Sequence, residues 1–247
     1  MKKINKRFEV FIAGENIDLV IPNINAVNKD NWHSWFNDNQ INNYLANHGL
    51  FPNTRESQLV ILKKMIKNNR EKKNLFLNIK PKKKNFIIGI TSLSKIDYLN
   101  SYAELSIIIK KNSYKNNFLF GYEVKALMTE HAFEKFNLQT IRSSQVISLK
   151  HWQNNTQLLG YMPEGIQKKK LTRNNKTYDV ATQSCSLENY LKIKKLYNGN
   201  YWPGNKNFFK LISKLPKKNI YDELENKLRL IEKNQFKLIK KIYDKIS

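Results

Sequence analysis

Hydrophobic and polar positions along the chain predict a mixed α/β structure. Short runs that alternate apolar and polar side chains, or that are rich in Ile and Phe, are typical of strands. The predicted strands are 7–20 (one or two strands with a turn at Ala13 and Gly14), 76–79, 85–96, 103–110, 140–147 and about 177–185. Apolar residues at helical spacing predict helices. These are about 27–45, 55–70 (with Thr54 as a suitable N-cap), 121–136 and 150–159.

The order of these elements predicts a mixed sheet with helices on both faces. We therefore expect one α/β domain over residues 1–186. The remainder, 187–247, is predicted to be a basic, mainly helical extension. Residues 165–247 hold 20 Lys plus Arg against 7 Asp plus Glu, and 220–246 carry an apolar stripe at helical spacing. That last helix has three interpretations: it docks on its own domain, it pairs with a second copy in a homodimer, or it offers a basic face to an anionic partner.

Composition excludes several classes of protein. The chain has 247 residues, of which 40% are hydrophobic, so it can bury a core and is not disordered. Cys185 is the only cysteine, which excludes a disulfide framework and a Cys-based zinc site. The four histidines lack metal-ligand spacing, so no metal site is predicted. The N-terminal segment resembles neither a signal peptide nor a membrane span, and we expect a cytoplasmic protein.

The net charge of +24 raises the question of nucleic acid. The lysines are spread along the chain rather than gathered in one stripe, and Asn and Ile are abundant with them. A nucleic-acid partner is therefore not favoured. A basic surface would equally attract an anionic small molecule, such as a coenzyme or a nucleotide-linked sugar.

One strand–loop–helix unit could carry chemistry. It begins at residue 103, and its helix starts near Gly121. Free backbone N–H groups at a helix start bind anions, and the loop adds Lys110, Lys111 and Lys115. This arrangement suggests a cradle for a pyrophosphate. The chain lacks a Walker loop, a Gly-x-Ser-x-Gly motif, a His-Glu-x-x-His motif and a dinucleotide glycine motif.

In this region the sequence resembles the GNAT superfamily of acetyl-CoA-dependent acyltransferases. The matching pieces are IIGITSLSKID, AELSIII, GYEVKALMTEHAFEKFNLQTI and LLGYMPEGIQKK, in family order, preceded by DNWHSWFNDNQINNYL near the N-terminus. The resemblance covers about residues 10–185. It is strongest to the branch that includes ribosomal-protein alanine and amino-sugar N-acetyltransferases. It implies a mostly antiparallel sheet with a central splay, in which acetyl-CoA would bind as co-substrate.

The resemblance also implies coenzyme-binding positions. The family's coenzyme loop matches NNFLFG here, where Asn replaces the basic or amide residue and Leu replaces the first glycine. Backbone N–H groups of the strand would hold the pantetheine and polarise the thioester carbonyl. The positions implied are Ile107, Ile108, Ile109, Lys115, Asn116, Asn117, Leu119, Gly121 and Tyr122.

Catalysis requires a neutral amine and a base that takes its proton. Glu104 on the central strand is the first candidate for that base, and His48 is the second. Many family members place a tyrosine, as general acid, where this chain has Thr156. The acceptor pocket is expected to include Trp32, Trp35, Phe51 and Arg55.

Three functions follow, in order of preference. The first is acetyl transfer from acetyl-CoA to the primary amine of an amino sugar, nucleotide-linked, in surface-polysaccharide synthesis. The second is acetylation of a protein N-terminus of the ribosomal-protein alanine type. The third is a non-catalytic GNAT-like module that binds an acidic partner or nucleic acid.

Overall fold

A computed structural model gives the architecture of the chain. The residues that the structure describes are 8–24, 30–38, 41, 51–110, 119–173 and 175–245. They form an eight-stranded sheet in the order β1-β2-β3-β4-β5-β6-β8-β7. The strands are β1 (Val10–Ala13), β2 (Ile17–Val20), β3 (Leu75–Pro81), β4 (Gly89–Asp97), β5 (Tyr102–Ile109), β6 (Thr140–Val146), β7 (Met162–Arg173) and β8 (Lys176–Ser186).

Helices cover both faces of this sheet. In the described residues they are α1 (Trp32–Trp35), α2 (Arg55–Arg70), α3 (Phe120–Phe136), α4 (Lys150–Thr156, continued by a 3-10 turn at Gln157–Leu159), α5 (Leu187–Leu196), α6 (Asn205–Lys214) and α7 (Ile220–Tyr243). The predicted cap of α2 is confirmed. The Thr54 side chain accepts a hydrogen bond from Ser57 N–H, and Ser57 Oγ accepts one from Thr54 N–H.

The sheet is antiparallel except between β5 and β6, and there it splits. These two strands are parallel neighbours for only three residue pairs, from Tyr102 with Thr140 to Glu104 with Arg142. Beyond Glu104, β5 continues to pair with β4 alone, while β6 continues to pair with β8. The predicted mostly antiparallel α/β sheet with a central splay is therefore confirmed.

Side chains on the two faces of the sheet build two hydrophobic clusters. Because strand residues alternate between faces, Leu77 and Ile79 pack with α3 on one face, whereas Phe76 packs with α1 and α2 on the other. We call these the α3 face and the α2 face. The gap between β5 and β6 is bordered by both.

Two sequence predictions need correction. Strand β7 was not predicted, because its Lys-rich stretch after Gln167 lacks an apolar alternation, yet it pairs with β8 as the edge of the sheet. The predicted helix over 27–45 is described only in part: Trp32–Trp35 and Ile41 are helical, and residues 36–38 between them are not. Residues 25–29, 39–40 and 42–50 lie outside the described residues.

Much of the predicted C-terminal extension packs into the main core. Tyr190, Tyr201 and Phe208 belong to the same hydrophobic cluster as the α3 face. Tyr221, at the start of α7, is also buried and donates a hydrogen bond to Thr182 C=O (2.6 Å). From Ile231 onward, the described residues of α7 are exposed. The fully exposed part of the chain therefore begins inside α7 rather than at residue 187.

Candidate active site

The split between β5 and β6 opens into a cavity on the α3 face. Its volume is about 240 Å³. Its walls come from β5, β6, α3, α4 and the residue before α4. The lining residues are Leu105, Ile107, Ile109, Gly121, Lys125, Ser143, Gln145, Val146, Leu149 and Trp152.

The backbone of β5 offers hydrogen-bonding groups to this gap. Lys110 N–H donates to Ile88 C=O at 2.8 Å, and the register pairs Ile108 with Ile90. In an antiparallel ladder, alternate residues carry the cross-strand hydrogen bonds. The even-numbered residues of β5 therefore bond to β4, and the amides of Ile107 and Ile109 face the gap. This corrects the prediction for Ile108, whose N–H faces β4 and whose side chain packs on the α2 face.

Helix α3 begins at one end of the cavity. Leu119 is its N-cap, in a right-handed conformation (φ −78°), and its side chain makes no capping hydrogen bond. A Cβ on Gly121 would lie 2.9 Å from the Trp152 ring, so the glycine at this position allows α4 to approach α3 closely. Tyr122 stacks on Trp152 with ring centroids 4.6 Å apart, and its hydroxyl accepts a hydrogen bond from Asn155 Nδ2 (2.9 Å). Burial raises the pKa of Tyr122 to about 12.

Lys125 is the ionisable group of the cavity wall, and sequence reasoning missed it. It lies one helical turn after Gly121 and is 1% exposed. Its Nζ donates to Ser143 Oγ at 2.8 Å and sits 3.5 Å from the centroid of the Tyr161 ring. Burial lowers the pKa of Lys125 to about 7. Its position between the apolar residues Val124 and Ala126 was the available signal.

Glu104, the first candidate base, points to the α2 face, away from the cavity. Its backbone lies at the last pair before the split, opposite Arg142. Its carboxylate, 41% exposed, forms an ion pair with Lys95 Nζ at 2.9 Å. The structure thus places Glu104 at the apex of the split, with Lys95 as its ion-pair partner, and its role as a base stays a prediction.

The predicted aromatic residues of the acceptor side have different positions. Trp32 and Trp35 are fully buried and stack on each other in the core of the α2 face, so neither ring offers a surface to a ligand. This packing corrects their prediction as substrate-binding residues. Phe51 is 81% exposed, and Arg55 is exposed at the start of α2. These two remain predictions for acceptor contact.

Buried polar atoms without hydrogen-bond partners accumulate under α1 and α2. Within the described part of the chain, Asn78 Oδ1 and Nδ2, Gln58 Oε1 and the indole N–H groups of Trp32 and Trp35 have none. Asn78 alternates with Leu77 and Ile79 on β3, which directs its side chain to the α2 face. Such atoms cost free energy unless a bound molecule satisfies them.

Four predicted site residues lie outside the described residues: His48, Lys115, Asn116 and Asn117. In the described residues, no cluster of three His, Cys, Asp or Glu side chains could hold a metal ion. None of the helices described is long and apolar enough to cross a membrane.

A family comparison decides the class of this site. Residues 19–157 match the model of the acetyltransferase (GNAT) domain, which covers more than half of the chain. The chain belongs to the GNAT acetyltransferase family. Its acyl donor is acetyl-CoA, and the predictions of family, enzyme class and co-substrate are confirmed. The non-catalytic alternative is set aside.

Solved structures of the same fold belong to acetyltransferases that are named for different functions. The microcin C7 self-immunity acetyltransferase MccE, in complex with acetyl-CoA and AMP, is 19% identical, with 70% of this chain and 93% of that chain covered and a TM-score of 0.59. Spermidine N-acetyltransferase from Vibrio cholerae, with CoA and spermine, is 18% identical (71% and 98% covered, TM-score 0.62). Ribosomal-protein-S5-alanine acetyltransferase from Vibrio fischeri is 15% identical (74% and 99% covered, TM-score 0.63). No curated protein sequence matches the chain.

Proposed function

We propose that this acetyltransferase transfers an acetyl group from acetyl-CoA to the primary amine of a nucleotide-linked amino sugar. The observation that carries the proposal is the split between β5 and β6, which joins a cavity on the α3 face to a carboxylate on the α2 face. Donor and acceptor can approach from opposite faces and meet in the gap. Transfer then needs no covalent enzyme intermediate.

The coenzyme fits the α3 face. Backbone amides of Ile107 and Ile109 face the gap and can bind the amide groups of a pantetheine arm. The start of α3 suits the coenzyme phosphates, because the side chain of its N-cap residue, Leu119, makes no hydrogen bond to the backbone N–H groups of the first turn. Coenzyme contacts of Lys115, Asn116 and Asn117, which lie outside the described residues, stay a prediction.

On the α2 face, the acceptor side of this proposal, a carboxylate can take the proton of the attacking amine. Glu104 accepts the proton of the attacking amine, directly or through water, and its carboxylate pairs with Lys95 Nζ at 2.9 Å. A sugar offers hydroxyl groups of both donor and acceptor type, which suits a face that carries charged and polar side chains.

The charge of the chain favours an anionic acceptor. The net charge of +24 would repel a polyamine and attract the phosphates of a nucleotide-linked sugar. Phe51, exposed, and Arg55, at the start of α2, provide an aromatic face and a cation for this group.

An acceptor screen tests the proposal. Release of the coenzyme thiol is measured with acetyl-CoA and four acceptors: a nucleotide-linked amino sugar, the free amino sugar, spermidine and a peptide with an N-terminal alanine. We expect the highest kcat/KM for the nucleotide-linked sugar and a loss of about 10²–10⁴-fold in Glu104→Gln. Lys192→Gln, an exposed change on α5, is the control. A preference for the peptide or spermidine would overturn the amino-sugar assignment, and full activity of Glu104→Gln would overturn the role of Glu104.

A further inference from the structure

Lys125 is buried without a counter-charge from the described part of the chain. Its Nζ contacts a serine hydroxyl and a tyrosine ring, and no carboxylate of the described residues lies within ion-pair distance of it. An ammonium group in such a place is costly unless a partner anion joins it. Lys125 also lines the cavity, so a ligand bound there can supply that anion.

The other titratable groups around Lys125 are uncharged near neutral pH. Burial raises the pKa of Cys185 to about 12, and it raises the pKa of Tyr161 well above its usual value. The Tyr161 hydroxyl shares a 2.6 Å hydrogen bond with Thr129. Neither group provides the negative charge that Lys125 lacks.

Lys125 also lies at the end of the cavity where the acyl group is needed. Its partner Ser143 directly follows Arg142, the last residue of β6 that pairs with β5. The amine of Lys125 is therefore held at the apex of the split. The acyl group must lie near this apex if an amine on the α2 face is to reach it.

Thr156 does not supply an acid at this place. It is fully buried, and its hydroxyl donates to Gln153 C=O and contacts Gln183 Oε1, each at 3.0 Å. It is not among the residues that line the cavity. Lys125 is the cavity residue with a transferable proton and a basic nitrogen.

We propose that Lys125 stabilises and protonates the thiolate of the coenzyme when it leaves. The inference rests on the proposed acetyl transfer. When the acceptor nitrogen attacks the thioester carbonyl carbon, a C–N bond forms and the C–S bond breaks. The electron pair of the C–S bond stays on sulphur, which takes a proton from the Lys125 ammonium. The amine proton goes to Glu104, and Lys125 is reprotonated from water after the thiol departs.

Binding of the free coenzyme tests this role without an acceptor. Calorimetric titration at about pH 6.5 compares CoA with desulfo-CoA, which lacks the thiol. At this pH Lys125, whose pKa burial lowers to about 7, is still largely protonated, and a thiol ionises readily beside a cation. We expect the unmodified protein to bind CoA about 10- to 100-fold more tightly than desulfo-CoA. Lys125→Met is expected to bind both equally. Lys135→Met, an exposed change on the same helix, is expected to keep the difference.

The outcomes separate the two proposals. Equal affinities of the unmodified protein for CoA and desulfo-CoA, or a preference that survives in Lys125→Met, would overturn the role of Lys125 alone. Absence of binding for both ligands would overturn the acetyl-transfer proposal and this inference with it. If Lys125→Met does not fold, Lys125→Gln replaces it, because the amide retains a donor for Ser143 without the charge.

Discussion

The carboxylate of Glu123, in the first turn of α3, accepts a hydrogen bond from the backbone N–H of Asn16 at 2.9 Å. The N–H of Glu15 donates to the same oxygen, and the carboxylate is fully buried. This contact joins the β1–β2 turn to the helix that begins at the cavity. A Cβ on Gly14 would lie 2.4 Å from the same oxygen, so glycine is required there.

Glu123→Ala is expected to destabilise the protein by about 1–3 kcal/mol, because it leaves buried backbone N–H groups of the turn without an acceptor. Urea unfolding measures the change. Glu188→Ala is the control, since Glu188 pairs with Lys192 only on an exposed surface, where such pairs contribute little to stability. Equal effects of the two substitutions would contradict the assigned role of Glu123.

Lys125→Met is expected to stabilise the protein in a pH-dependent manner. The pKa of Lys125 falls from 10.5 to about 7 on burial, so between these values the unfolded chain binds more protons than the folded one. The stability of the unmodified protein therefore rises with pH across this window. At about 1.4 kcal/mol per pKa unit, the gain from Lys125→Met is on the order of 5 kcal/mol below pH 7 and shrinks toward pH 10.5.

Thermal or urea unfolding across this pH range measures that gain. The comparison with Lys135→Met removes the contribution of the other titrating groups, because Lys135 is exposed. A gain from Lys125→Met that is constant with pH would mean that Lys125 does not change its protonation on folding.

Gly121→Ala is expected to narrow the cavity. The new methyl group would meet the Trp152 ring at about 2.9 Å, so the ring must move or α4 must shift. Overpacking of this kind costs about 1–3 kcal/mol. We expect weaker coenzyme binding by calorimetry and a lower melting temperature. Unchanged affinity for CoA would show that Trp152 does not shape its site.

Asn78→Leu is expected to increase stability. Both polar atoms of Asn78 are buried without partners in the described structure, so an apolar side chain of similar size removes a desolvation penalty of about 1–3 kcal/mol. Urea unfolding measures the gain. A variant that is less stable than the unmodified protein would show that the Asn78 amide is satisfied in the folded state.

Removal of residues 230–247 is expected to change stability by less than about 1 kcal/mol. This segment is exposed in its described part, and its ion pair to the sheet, Glu232 with Lys168, lies on the surface. Tyr221→Ala, by contrast, is expected to cost about 3–5 kcal/mol, because its ring is buried. Sedimentation of the full and shortened chains also tests the predicted homodimer, which requires association through α7 to be lost on truncation.

The sequence by itself determined the elements whose signals are local. Thr54 and Ser57 cap α2 within three residues of each other, and the apolar alternation of 103–110 indicates β5 without knowledge of its neighbours. The resemblance of the quoted segments to the GNAT family, in family order, was enough to predict the GNAT fold and acetyl-CoA as co-substrate. Strand β7 was not predicted, because an edge strand rich in lysine lacks an apolar alternation. Its hydrogen bonds to β8 keep it in the sheet.

Tertiary structure alone decided which of these residues meet. Trp32 and Trp35 have the composition of a binding face, but packing against β2, β4 and α2 buries them. Ile108 and Ile109 are alike in sequence, and only the register of β5 with β4 turns one amide into the sheet and the other into the gap. Lys125 and Ser143 are 18 residues apart, on a helix and a strand. A buried amine becomes a chemical group of the site only when the fold removes water and counter-charges from it, and no local pattern encodes that removal.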